Sequence, residues 1–396
     1  MPVLTRATHA HRLTALRAMM AREQLDAVVL TGADFFQWAS NFHVDVQTWE
    51  RPILLCVTAD GASFAVMNEL STHHLRFARE RGSLWLDDIT LYAEHPQGAG
   101  RQPLITQLPE LVAERLTHAG LRRARIGYDA LNAPLSRALT LLPEARLLAM
   151  TADLRALRWV KQPEELAVMR AAADLSDWVQ ERYRENFRVG RLTAELDAQM
   201  ASLMVEEAAR RFPGEHLEIL RCWTLAGPAA SSPHGDGASC GARIGAGDVI
   251  INLVIPRLNG IVIENERTWF CGRPSDEQKR FYRVALDANE AALDAAVTGR
   301  PVSGIDAAAQ AVIEQAGCAA YIRHRTGHGM GIMGHEFPED MAFNHRALLE
   351  NEVYSAEPGI YVYGLGGFRI DDTVVVGDVP EVLTRAPKTL DYVSIG

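Results

Sequence analysis

Two carboxylates set inside apolar, strand-like runs restrict this chain more than any other feature. Glu357 stands in VYSAEPGIYV and Asp371 in GGFRIDDTVVV, and upstream Glu264 and Glu266 stand in GIVIENERTWF. An unpaired carboxylate among apolar side chains is costly to bury. Residues two apart on a strand share a face, so Glu264 and Glu266 point the same way. A glutamate beside an exposed strand is ordinarily just solvated, but several such acids in one half of the chain are better explained by one shared polar site.

The histidines fall in the same half. His328 and His335 lie seven apart in TGHGMGIMGHEFPED, where glycines at 327, 329, 331 and 334 permit close backbone approach, and His234 stands upstream in SSPHGDG. A lone histidine is more often a hydrogen-bonded structural residue than a ligand. Histidines gathered with acids are the usual equipment of metal binding or of acid–base catalysis.

The 396 residues suit two domains. Residues 9–25 have helical spacing and precede the apolar strand Ala27–Leu30. Further strands are expected at 52–57, 63–66 and 125–128, with helices near 70–80, 107–119 and 134–141. This alternation predicts an α/β domain over 1–155. Lys161-Gln-Pro-Glu-Glu places Pro163 in the first turn of a long helix with acids at its positive end. Amphipathic helices at 163–188, 193–211, 275–297 and 304–316 interleave with strands, so residues 156–396 read as an α+β domain with a mostly antiparallel sheet.

Charge and cysteine usage exclude several classes. Forty Lys and Arg against fifty Asp and Glu give a net charge of −10, and no basic run is present. Nucleic acid is therefore not an expected partner, because that binding rests on basic side chains neutralising phosphates. The most apolar stretch, 249–263, is too short for a spanning helix and is interrupted by Asn252, Pro256, Arg257 and Gly260. The N-terminal residues lack the apolar core of an export signal. Five scattered cysteines without CxxC spacing read as reduced thiols, which points to the cytoplasm.

These motifs together resemble the pita-bread superfamily of methionine aminopeptidase, aminopeptidase P, prolidase and creatinase. The resemblance is carried by His234, Gly247-Asp248, Gly260 with Glu264-Asn-Glu-Arg-Thr268, Gly327–Gly331 with His335-Glu336, Glu357-Pro358-Gly359, and Gly367–Asp372. The junction LRALRWVKQPEELAVMRAA and the first half are similar to the family's accompanying N-terminal domain. Xaa-Pro dipeptidase and aminopeptidase P are the nearest likeness. The resemblance implies a pita-bread catalytic domain, a homodimer, and, in the family's peptidases, two divalent metals (Mn, Zn or Co) held by two Asp, one His and two Glu. Those ligands correspond to His328, Glu357, Asp371 and Glu264. The remaining aspartate falls in IINLVIPRLNG, at Asn252, Leu253 or Val254, and of these Asn252 alone offers an oxygen ligand. Glu266 stands where the peptidases usually carry threonine, so the pocket is expected to hold four carboxylates.

One reading is a metallopeptidase for short peptides. It uses one ion at the reduced ligand set, Glu357 as proton shuttle, His234 and His335 at the scissile carbonyl, and Arg369 at the substrate carboxylate. A second follows creatinase and ectoine hydrolase, with no ion. There His234 acts as acid or base on a small C–N substrate, Glu266 and Glu357 hold its cationic end, and Arg51 in Trp49-Glu-Arg-Pro52 reaches across a dimer to its carboxylate. A third is a peptide-binding module that has lost catalysis. Without a cation, the four acids are expected to force at least one of their number to stay protonated.

Overall fold

The computed structural model describes residues 3–86, 88–235 and 241–395. The chain forms two compact units, Leu4–Arg158 and Trp159–Gly396.

In the first unit a mixed six-stranded sheet runs in the order β4-β3-β2-β1-β5-β6. Its strands are β1 (Ala27–Leu30), β2 (Leu54–Thr58), β3 (Ser63–Asn68), β4 (Asp88–Tyr92), β5 (Arg125–Tyr128) and β6 (Arg146–Ala149). The helices are α1 (Arg6–Glu23), α2 (Ala33–Ser40), α3 (Thr72–Glu80), α4 (Leu108–His118), α5 (Ala133–Thr140) and α6 (Thr151–Ala156). β1 is buried on both faces, as its unbroken Ala-Val-Val-Leu requires, and it pairs antiparallel with β2 and parallel with β5. Its core runs from Val29, Cys56 and Val66 to Leu111, Val112 and Leu116 of α4.

The second unit begins with α7 (Pro163–Asn186). Pro163 occupies its first turn, and Glu165 accepts the Gln162 amide at 2.8 Å. The expected acids therefore do more than face the dipole, because one of them caps an otherwise unpaired donor. α8 (Thr193–Arg211), α9 (Asp276–Ala295) and α10 (Ser303–Gln315) follow, and a Ser275–Gln278 capping box starts α9. Leu175, Val179 and Tyr183 of α7, Met200 and Met204 of α8, and Ala285 and Ala288 of α9 meet Ile250, Val254 and Trp269 in the main core.

Three strand groups complete this unit. The main sheet has β7 (Leu217–Ala226), β8 (Val249–Leu258), β9 (Ile261–Val262), β10 (Asn265–Cys271) and β16 (Ser394–Ile395). β7, β8 and β10 pair antiparallel, and β16 adds parallel to β10. β11 (Val353–Ala356), β14 (Asp372–Val375) and β15 (Glu381–Val382) form a second antiparallel sheet, and β12 (Gly359–Val362) and β13 (Gly366–Arg369) a hairpin. A reciprocal pair of backbone hydrogen bonds, both 3.1 Å, joins Glu266 to Asp371 and so ties the main sheet to the second. This is the α+β pita-bread arrangement that the sequence resembles. Among the described residues, no helix is long and apolar enough to cross a membrane. Cys56, Cys222, Cys271 and Cys318 carry free thiols, and Cys240 lies outside the described residues.

Candidate metal centre

The site collects at the Glu266–Asp371 bridge. In the register of β8 with β10, Leu253 lies opposite Glu266, and Asn252 lies opposite Arg267. Paired residues share a face, so Leu253 accompanies Glu266, while Asn252 turns to the helix side. Core membership agrees: Ile250 and Val254 pack against the helices, and Ile251 and Leu253 pack with Tyr361 on the other face. Asn252 Oδ1 accepts the Trp269 indole N–H at 2.6 Å. The expectation of Asn252 as a ligand is thus corrected: strand alternation points it away from the acids, and its oxygen is already bonded. Leu253 takes the site-facing place.

The glycine loop positions His328. A Cβ on Gly327 would collide with the Ser355 carbonyl, and one on Gly329 with the Phe337 carbonyl. The close approach lets Ser355 N–H reach the His328 carbonyl at 2.9 Å. His328 is fully buried; its Nδ1–H donates to the Gly329 carbonyl at 3.0 Å, which turns Nε2 toward the acids. Nε2 lies 3.4 Å from Glu357 and 3.5 Å from Glu264. The His335 ring stacks on His328 with centroids 3.8 Å apart, on the open side of the site.

Two triads of donor atoms result, Glu264–His328–His335 and Glu266–Glu357–Asp371, each with atoms within 4.8 Å of one another. Both Asp371 carboxylate oxygens and His328 Nε2 are buried without a hydrogen-bond partner. Buried polar atoms are almost always bonded, so three orphans within one acidic cluster call for a cation. Three carboxylates and an imidazole are the oxygen and nitrogen donors that a divalent ion of the Mn, Co or Zn type accepts. Glu264, His328, Glu357 and Asp371 therefore fit such an ion.

The protein's own electrostatics show the same need. Burial, together with Glu264, Glu266 and Glu357, holds the Asp371 carboxyl well above the usual range. Burial pushes Glu266 up to about 8, against the pull of Arg369. For Glu357 burial is outweighed by His328, Arg369 and His324, which bring it down to about 2. Burial lowers His328, but Glu264 and Glu357 overcome it and raise the imidazole well above its ordinary value.

Arg369 is buried beside Glu266, donating Nε–H to its carboxylate. Its Nη1 donates to Tyr361 Oη at 2.9 Å and to the Pro233 carbonyl at 3.0 Å. Tyr361 in turn donates to His324 Nε2 at 2.7 Å, and His324 Nδ1 donates to the Arg325 carbonyl. Arg369 is thus wired into the wall of the site. Tyr361 and His324 did not stand out in the sequence; their only signals are the spacings of four from Glu357 and from His328. His234 is exposed, next to the Pro233 carbonyl that Arg369 holds. Arg51 and Trp49 lie in the first unit, where Arg51 makes a two-toothed contact with Glu94 and Trp49 is 81% exposed.

The sequence pattern of metallopeptidase family M24 matches residues 167–378, and that of the creatinase/prolidase N-terminal domain matches 12–160. The chain belongs to metallopeptidase family M24. A probable dipeptidase PepE of Mycobacterium tuberculosis is 30% identical over 376 residues, covering 93% of this chain and 92% of that protein. The solved dipeptidase PepE of Mycobacterium ulcerans is similar at 28% identity and a TM-score of 0.81, covering 99% and 100% of the two chains. The prolidase of Pyrococcus horikoshii shares the fold, with a TM-score of 0.78 at 20% identity over 96% and 99%. This M24 chain is a hydrolase.

Proposed function

We propose that this chain is a metal-dependent dipeptidase that cleaves short peptides, Xaa-Pro dipeptides among them. The observation that carries the reading is the trio of orphaned acceptors, Asp371 Oδ1 and Oδ2 and His328 Nε2, ringed by Glu264 and Glu357. Likeness to two dipeptidases along nearly the whole chain supports the substrate class.

Glu264, His328, Glu357 and Asp371 would hold the ion, as Mn, Zn or Co. When bound, it polarises the substrate carbonyl and lowers the pKa of water. Glu357, half-buried at the edge of the cluster, takes the proton from the attacking water and returns it to the leaving amine. His335 and His234, both exposed, donate to the carbonyl oxygen as charge develops on it. Arg369 fixes the Glu266 carboxylate and, through Tyr361, the wall of the pocket. Arg51 would meet a substrate carboxylate in a neighbour's site only by giving up its bonds to Glu94 and Glu50. We place the enzyme in the cytoplasm as a homodimer, in line with its free thiols.

The test is hydrolysis of a panel of dipeptides by protein reconstituted with Mn²⁺, Zn²⁺ or Co²⁺. The reading expects cleavage that EDTA abolishes and metal restores. Chelator-resistant turnover, or none with any metal, overturns it.

A further inference from the structure

We propose that this enzyme works with one divalent ion, and that the Leu253–Glu266–Arg369 group closes the site to a second. The proposal rests on the metal-dependent reading above.

Asp371 Oδ1 and Oδ2 and His328 Nε2 lack partners, while the Glu266 carboxylate is bonded to the Arg369 guanidinium. One ion bound by Asp371, His328, Glu264 and Glu357 satisfies every orphan in the cluster. A second ion beside Glu266 would stand against a buried guanidinium bonded to Glu266, to Tyr361 and to the Pro233 carbonyl, and to take the bonded Glu266 oxygen it would have to break that network. Removing one member of such a network leaves a buried charge uncompensated, which is strongly unfavourable.

The cross-strand neighbour completes the block. Leu253 faces Glu266 across β8 and β10, is buried, and packs with Ile251 and Tyr361. At that point the wall offers methyl groups, and a hard cation takes oxygen or nitrogen donors. The side chain that would share a second ion with Glu266 is therefore apolar, and the positive charge there is supplied permanently by Arg369.

The test uses the full-length protein. Mn²⁺ is titrated calorimetrically, retained Mn is counted by elemental analysis after desalting, and the loaded protein is examined by electron paramagnetic resonance. The expected result is one Mn²⁺ per chain with the spectrum of an isolated ion. Two ions per chain with an exchange-coupled spectrum overturn the one-ion proposal and leave the metallopeptidase reading standing. No tight Mn²⁺ at all overturns both. The paired variant Leu253→Asp/Glu266→Thr moves the carboxylate to the facing strand. It is expected to raise the stoichiometry from one to two, and a folded variant that stays at one contradicts the assignment to this residue pair.

Discussion

His328 Nε2 sits 3.4 Å from Glu357 and 3.5 Å from Glu264, facing both acids, while its other nitrogen is tied to the Gly329 carbonyl. The backbone fixes the ring, and the acids decide its charge. Without a cation the acids favour the protonated imidazole, and an ion between them would take its Nε2 lone pair instead.

Metal uptake is accordingly expected to release protons. Asp371 and His328 are both held above their ordinary pKa values, so an ion that takes their lone pairs competes with protons for them. Calorimetry of Mn²⁺ binding at pH 7 in two buffers of different ionisation enthalpy should show at least one proton released per ion. Affinity should fall as pH is lowered. Binding heats that do not depend on the buffer contradict this.

Asp371→Asn separates metal binding from folding. The substitution removes an acid that burial and three neighbouring acids make unfavourable to ionise. The metal-free variant should be at least as stable as the parent, while the rise in Tm on adding Mn²⁺ is largely lost. An undiminished Mn²⁺-dependent rise in Tm would count against Asp371 as a ligand.

Glu357→Gln probes proton transfer. It keeps the size of a half-buried side chain whose backbone N–H is held by the Thr326 carbonyl at 2.6 Å. We expect kcat to fall by about 10²–10⁴, and Tm to fall as well because His328 and Arg369 lose the carboxylate they stabilise. Retention of most activity refutes the shuttle.

The bridge that carries the site has its own support. Arg267, fully buried, donates to Asp372 at 2.8 Å, to the Asp371 carbonyl at 2.9 Å and to the Glu266 carbonyl at 2.8 Å. Arg267→Met leaves Asp372 with Lys388 as its remaining cation at 2.8 Å and should cost about 3–5 kcal/mol in urea unfolding. A loss under about 1 kcal/mol contradicts a supporting role, because exposed pairs already reach that value.

Asp197 gives a pH signature away from the site. It accepts from Tyr183 at 2.9 Å and from the Thr224 amide at 3.0 Å, yet burial pushes it up to about 6. The folded state therefore holds this proton more tightly than the unfolded chain. Its contribution to stability is fully present below the unfolded pKa near 4 and is lost as pH rises to about 6. Asp197→Asn should gain on the parent by about 1–2 kcal/mol between pH 4 and pH 7, read from denaturation at both values. An equal offset at the two pH values contradicts it.

Much of this was legible in the sequence because burial makes polar residues conspicuous. Glu357 and Asp371 interrupt apolar runs, the glycines around His328 announce close packing, and Pro163 with its acids marks the start of α7. The choice among Asn252, Leu253 and Val254 was not legible. It depends on the phase of β8, which is set by its register with β10 and not by any local pattern. Tyr361 and His324 were missed for a related reason: their role comes from hydrogen bonds to Arg369 and to each other, between segments far apart in the chain.

The most direct test of the central claim follows hydrolysis of a Xaa-Pro dipeptide and Tm together along one titration of free Mn²⁺. The account predicts that both rise over the same concentration range and that both fall back with EDTA. Activity that is indifferent to the chelator, or a Tm that rises without any peptide being cleaved, would contradict it.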